Sequence, residues 1–492
     1  MRAASVRTTR LPGFERSLDT VSSSAGAVAP SIDRDTRARF VVYAFSSVYA
    51  VLFVAAASTS YLRYLEPRFD LGNVVQVVWS TAHGHFLQMS DPRGVVISRL
   101  GSHFDPFLAF LAPLWWLWPS PLVLLCAQAV AVASGALPVY WLGRKHLSND
   151  GFAAVFAVAY LLYPATQFNA FTPIGVHAVS FAIPLILFAI WFLDEGRLLP
   201  FAVFGVLAAT TKEEIGAAVG CLGIWYAVRR GKRLAGAVAF ALGSATSLVC
   251  MTVIIPHYSP EGTSPFAGRY ENVGGTPGGM AKLVLTDPSA FVHQTATLHK
   301  LAFILLMLVP FLGFWALEPL MLIGLVPDLA INLLSSKPEQ STIFYQYTAG
   351  MIPFIVAASI LGAARLKRKR HAPTALLAVM GCLAIVSPLV YSVVSIHSRS
   401  NGEVSATRDA LKLIPRHVPV SASQTLGAYV SQRRVVAVFP HVSGTNWILV
   451  GPVASGEDNP NKFRRELRRL KLSPQWRVVF ESHGVALMKR RS

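Results

Sequence analysis

From residue 40 to about 397 the chain is a succession of continuous apolar runs separated by short polar turns. Many of these runs approach the ~20 residues that a helix needs to cross the hydrocarbon core of a bilayer. The pattern leaves few folds open. Hydrophobic residues make up 53% of the chain and charged residues 14%, against about 25% charged in a soluble domain. Because the runs are continuous rather than alternating, they exclude a β-barrel. The fold class expected is an all-α polytopic membrane protein with a small C-terminal α/β domain.

Spanning helices are expected at 40–60, 121–143, 151–168, 177–193, 198–211, 213–229, 233–256, 299–316, 317–334, 346–364 and 372–395, eleven in all. Segment 104–121, "FDPFLAFLAPLWWLWPSP", is short and rich in Trp and Pro, which suits a re-entrant or interfacial piece. The Lys/Arg clusters in the first 39 residues, at 143–146, 229–233 and 365–370 set the orientation by the positive-inside rule. All four fall on the cytoplasmic side with eleven spans, whereas twelve would misplace one of them. Residues 1–39, with seven Arg and four acids among Ser, Ala and Thr, read as a disordered basic cytoplasmic tail. Residues 40–397 are the transmembrane domain, with outer loops at 61–103 and 257–298.

From 398 to 492 the character changes to short mixed helix and strand segments, an extracytoplasmic α/β domain. From Arg399 onward it carries 16 Lys/Arg and 6 Asp/Glu. That excess reads either as a solvated surface or as a face docking onto anionic headgroups. Nucleic acid is not an expected partner of an extracytoplasmic domain. Cys126, Cys221, Cys250 and Cys382 lie in apolar runs without metal-like spacing and read as small hydrophobes.

Polar groups at membrane depth or at its edge are costly, and so are functional candidates. Most fall at the outer ends of the expected spans. Asp70 opens an amphipathic stretch, "RFDLGNVVQVVWS", where an acid also serves as a helix cap. "GSHFDP" brings His103 and Asp105 two residues apart, able to pair or to share a cation. "ATTKEEIG" interrupts an apolar stretch with Lys212, Glu213 and Glu214, either a plain polar turn or a phosphate-binding one. "QFNAFTPIGVH" adds Gln167, Asn169 and His177, and "PDLAINLLSSKPEQ" adds Asp328, Asn332 and Lys337. Together they suggest a polar cavity opening outward. A transporter or flippase of lipid-linked or anionic substrates would use the same groups as a pathway, and an envelope scaffold would not need them to converge.

The strings "FDLGNVVQVVWS", "SHFDPFLAFLAPLWWLWPSPL", "ALPVYWLGRKHL", "AYLLYPATQFNAF", "TKEEIG" and "PDLAINLLS…YQYTAGMIPF" occur in this order. Together they resemble a family of bacterial polytopic membrane proteins that is distantly similar to the GT-C glycosyltransferase superfamily. The resemblance implies an inner-membrane enzyme that takes a sugar from a polyprenyl-phosphate donor. The acceptor would be an envelope glycan or protein, reached by inverting displacement at the outer face. It implies a catalytic base soon after the first span, the place of Asp70. The second acid often found five residues on is Val75 here, which leaves Asp70 and Asp105 as the catalytic candidates. His103, Lys212, Glu213, Glu214, Gln167, Asn169, His177 and Arg99 are the implied substrate-binding residues. Arg99 or Arg63 shares with Lys212 the role of stabilising the phosphate. No cofactor is fixed by the resemblance; a divalent cation held by Glu213, Glu214 or His103 is the candidate.

Overall fold

A computed structural model describes residues 34–171, 175–366, 371–452 and 459–491. The tail 1–33 and the basic residues 367–370 lie outside them. The chain is mostly helical. Among the described residues four helices are long and apolar enough to span a bilayer: Thr36–Leu62, Pro121–Leu147, Arg233–Tyr258 and Ala372–Val393. Two bent pairs raise the number to six: Asp150–Leu162 with Pro164–Ala170 at 59°, and Pro288–Thr295 with Leu298–Phe311 at 62°. Ala178–Asp194, Leu198–Ala209, Met321–Leu334 and Ile352–Ala364 are apolar but shorter. Packing accounts for the last of these. Ile352–Ala364 is buried along almost its whole length. Short or broken helices are tolerated at membrane depth where protein, not lipid, surrounds the freed backbone groups.

Helix Ile215–Arg230 shows how the sequence builds this core. Its Gly220 and Gly223 meet Gly236 and Gly243 of the next helix, where an added Cβ would lie 2.2 Å from the Gly236 carbonyl oxygen. Small residues of this kind let two backbones approach closely. The helix ends at Gly231 with φ +66 and rises about 24 Å. It therefore carries the turn at 210–214 at one end of the bundle and Arg229 and Arg230 at the other.

That second end is tied by two buried acids. Asp194 accepts from His146 Nε2 at 2.9 Å, from Lys145 Nζ at 2.8 Å and from Arg230. Glu318 accepts from Arg229 through two bonds of 2.9 Å and from Arg365. Basic clusters far apart in sequence thus gather at one end, and each acid ties separate helices together.

At the opposite end, residues 63–111 form a compact lobe. It holds a π-helical turn Arg68–Gly72, the helix Asn73–Ala82 and the antiparallel pair β1 (Gln88–Ser90) and β2 (Val96–Ser98). Pro106–Leu117 follows as a short helical segment ending beside exposed Trp116 and Trp118. The C-terminal part is a five-stranded sheet of β3 (Val420–Ala422), β4 (Val436–Val438), β5 (Trp447–Val450), β6 (Trp476–Ser482) and β7 (Val485–Arg490), in the order β4-β3-β5-β7-β6. The two β3 pairings are parallel and the others antiparallel. Helix Asn401–Lys412, begun by a capping box between Ser400 and Glu403, covers one face. Helix Pro460–Leu472 covers the other.

Removing one partner from a buried charge pair strands the rest. Asp194→Asn should cost about 1–3 kcal/mol and lower the melting temperature of the purified protein in detergent. An unchanged melting curve would rule out a stabilising tie at this end.

Candidate functional site

The lobe at 63–111 is built as much by the distant sheet domain as by its own residues. Arg68 is almost fully buried, 1% exposed. Its backbone N–H donates to Gln424 O at 2.8 Å, and its guanidinium donates to Gln76 Oε1 at 2.8 Å, to Ser90 O at 3.3 Å and to Asn73. Gln76 then donates to Ser90 Oγ, Arg433 O and Arg434 O at 2.9, 2.9 and 3.1 Å. Val438 N–H donates to Pro92 O at 2.8 Å. Tyr429 packs against Tyr61 and Tyr64, at 5.0 and 4.8 Å between ring centres, and its hydroxyl accepts from Glu66 N–H. Arg68, Gln76 and Glu66 are the residues that sequence reading passed over. Gln76 is a lone polar side chain in an apolar stripe, whereas Glu66 and Arg68 lie in a stretch that also carries Arg63 and Asp70 and do not stand out from it.

Asp70 sits in the turn this joint holds. Such π-helical turns are found mostly where backbone geometry serves a site. The Asp70 side chain is about a third exposed, 31%, and its Oδ1 lies 3.3 Å from His177 Nε2. His177 arrives there because Gly175, at φ +103, presses against Leu71, where a Cβ would come within 2.6 Å. Its backbone N–H is fixed by Gln128 Oε1 at 2.7 Å. Beside Asp70 lies Glu66, whose carboxyl burial pushes up to about 8, helped by the Asp70 charge.

Of the other candidates, Arg99 lies within electrostatic reach of Asp70 and links it to the rest. Asp105 is buried and takes three bonds from Arg99, at 2.7 to 3.1 Å. Against the cost of burial, Asp105, Glu213 and Asp70 hold the Arg99 guanidinium charged. His103 Nδ1 lies 3.1 Å from Glu213 Oε1, and Phe104 N–H donates to Glu213 Oε2 at 3.1 Å. Burial opposes a charge on Glu213, but His103 and Lys212 win and hold its carboxyl low. Phe266 from the 257–298 segment stacks on His103 at 4.6 Å. Lys212 pairs with Glu214 and lies 5.7 Å from the Tyr347 ring centre. Glu214, Asp328 and Glu213 raise the Lys212 amine above its ordinary range despite burial.

Gln167 and Asn169 do not join this surface. Both are buried. Gln167 donates to Leu162 O, and Asn169 donates to Ala165 O and Thr348 Oγ1 while accepting from Ser180. Their amides are turned inward, unlike the substrate contact expected of them: that of Gln167 ties the bend of the helix pair, and that of Asn169 pins the pair to the 346–348 turn. The donor set also fits a divalent cation poorly. Asp70 and His177 are two ligands, Asp105 is committed to Arg99, and Glu213 is committed to His103 and the Phe104 amide. Among the described residues no three His, Cys, Asp or Glu side chains form a metal-holding group.

An apolar groove of about 240 Å³ runs along the helix Val326–Leu334. Val326 and Leu329 line it together with Met307, Leu322, Met351 and Ile355. Asp328 and Asn332, a turn apart on that helix, are buried instead. Asp328 lies against Gly350 and within electrostatic reach of Lys212 and Glu214. One short helix thus separates a greasy channel from the polar cluster.

The family described as "Predicted membrane protein (DUF2079)" matches residues 62–487. No curated protein matches the sequence. Among solved structures, ArnT from Cupriavidus metallidurans in the apo state is 14% identical with a TM-score of 0.51, covering 90% of this chain and 98% of that one. The same protein bound to undecaprenyl phosphate is 13% identical with a TM-score of 0.53, covering 91% and 97%. The likeness is one of fold, and that fold is GT-C-like, in line with the motifs noted in the sequence.

Gln76 closes the joint between the lobe and the sheet domain. Gln76→Leu should cost about 3 kcal/mol by stranding buried groups. Hydrogen exchange should quicken at 66–98 and 424–438 and stay unchanged in helix Ile215–Arg230. Equal exchange in all three segments would show that Gln76 does not hold the joint.

Proposed function

Because the chain belongs to the DUF2079 family of predicted membrane proteins and has a GT-C-like fold, we propose that it transfers a sugar from a polyprenyl-phosphate carrier to an envelope acceptor. The reading places it in the inner membrane with eleven crossings, its N-terminus cytoplasmic and the sheet domain outside. The observation that carries it is the convergence around Asp70. A carboxylate about a third exposed, with one oxygen on His177, lies within electrostatic reach of Arg99, which Asp105 holds and Glu213, the partner of His103, also influences. Lys212 and Glu214 follow Glu213 directly in the same turn.

In this reading the polyprenyl tail lies in the apolar groove and its phosphate sits at the polar side of Val326–Leu334. Asp70 Oδ2 accepts the proton of the acceptor hydroxyl, while His177 fixes the carboxylate through Oδ1. The acceptor oxygen bonds to the anomeric carbon as the bond from that carbon to the phosphate oxygen breaks. The electron pair leaves with the phosphate, and the configuration inverts. This is the geometry in which a single carboxylate serves as base. Lys212 and Arg99 supply positive charge where the phosphate gains it. Asp105 acts by holding Arg99, and Glu213 by orienting His103. No step is routed through a metal.

Undecaprenyl phosphate in the ArnT structure is the type of carrier meant, and the sugar and acceptor follow from experiment. Losing a positioned base costs about 10²–10⁴-fold in rate. A deletion strain complemented with Asp70→Asn should therefore accumulate lipid-linked sugar and lack the modified envelope product, read by mass spectrometry, with protein levels equal to wild type. Wild-type product from Asp70→Asn would end this assignment.

A further inference from the structure

The helix Pro460–Leu472 carries charge that the fold does not use. Phe463 and Leu470 bury themselves on the sheet with Phe439, Ile448, Trp476 and Met488. The outward half presents Arg464, Arg465, Arg468 and Arg469, all exposed. Arg464 and Arg468, like Arg465 and Arg469, are one turn apart, and Arg465 and Arg468 are three residues apart. Like charges at these spacings repel and weaken a helix. One acid answers them on the helix, Glu466, which pairs with Arg469. Among the described residues Lys462, Arg464, Arg465 and Arg468 have no ion pair. Arg490 extends the same basic face from β7, lying over the Trp476 ring at 5.6 Å.

The position of this face decides its partner. The opposite face of the sheet packs on helix Asn401–Lys412 and on Tyr64, where the chain leaves the first membrane helix. The arginine face thus points away from the side that meets the membrane helices. Headgroups of the protein's own membrane are not what it is presented to. Planar guanidinium groups in a row match successive phosphates or carboxylates better than point charges do.

We infer that the outward face of Pro460–Leu472 binds a linear polyanion of the envelope, a polymer bearing phosphate or carboxylate on its repeats. The inference rests on the reading above in placing this domain outside the cytoplasm. It also deepens that reading. β6, beside this helix, and β4, against the Asp70 lobe, are the two edges of the sheet, about 19 Å apart at the usual strand spacing. A polymer held on the helix would be bound by the same domain that frames the Asp70 lobe, and in that reading would be the acceptor.

The test uses the full chain in nanodiscs of zwitterionic lipid, with long-chain polyphosphate and polygalacturonate as probes. Wild type should bind at least one of them, more weakly as salt rises. The triple variant Arg464→Gln, Arg465→Gln, Arg468→Gln should bind about tenfold less tightly or worse, having lost three charge-assisted contacts. A charge-matched control, Arg408→Gln, Arg416→Gln, Arg477→Gln, should bind as wild type does, since those exposed residues lie elsewhere on the domain. Binding of neither polymer, an equal loss in both triples, or binding only to phosphatidylglycerol vesicles would overturn the inference. Asp70→Asn should bind the polymers normally, so failure of the catalytic assignment and failure of this one are told apart.

Discussion

In an apolar bundle a polar side chain must find a partner, because burying it alone costs more than most single contacts return. That constraint shapes both ends of this molecule. At one end Asp194 and Glu318 each collect cations from separate helices and hold them. At the other, Arg68 enters the protein and is met by Gln76, Ser90, Asn73 and the chain at Gln424. The Asp70 turn inherits its place from that arrangement. The difference between the ends is one of completeness. The first is saturated with ion pairs. The second leaves Asp70 with one oxygen on His177 and about a third of its side chain exposed, which is what the proposed role of base would need.

Much of this was legible in the sequence, and for a physical reason. Hydrocarbon length and the cost of charge act on local stretches, so apolar runs, basic turns and misplaced acids announce themselves. Asp70, His103, Asp105, Lys212, Glu213 and Glu214 stand out that way, and the fold brings them to one region. What local reading could not see was how each was committed. Asp105 looks like a partner of His103 two residues away, yet its oxygens go to Arg99. Asn169 looks like a substrate contact, yet its amide is used by Ala165, Thr348 and Ser180. Gln76 draws no notice in its apolar helix, yet two of its partners lie more than 350 residues away at Arg433 and Arg434. Pairings across such separations leave no periodic trace. Helix length is read from sequence under a related constraint. Apolar content reports burial in something greasy, and a helix packed wholly among its neighbours shows the same content as one facing lipid.

The middle of the molecule joins these two kinds of information. Helix Val326–Leu334 turns Val326 and Leu329 to the groove and buries Asp328 and Asn332. A lipid carrier has the same division, a long hydrocarbon tail and a charged head. In the proposed reading this helix would sort the two by which of its faces each meets, with Lys212 on the side of the charged head.

The joint between the lobe and the sheet domain also carries a topological consequence. Arg63 reaches Asn401, and Arg68 reaches Gln424. Contacts of this kind require both stretches to emerge into the same compartment. Whatever the path of the chain between residues 63 and 401, it must pass through the bilayer an even number of times. Each broken or shortened helix in that interval is therefore either one half of a matched pair of passages or none at all, and an insertion that added a single passage would leave Asp70 without the domain that frames it.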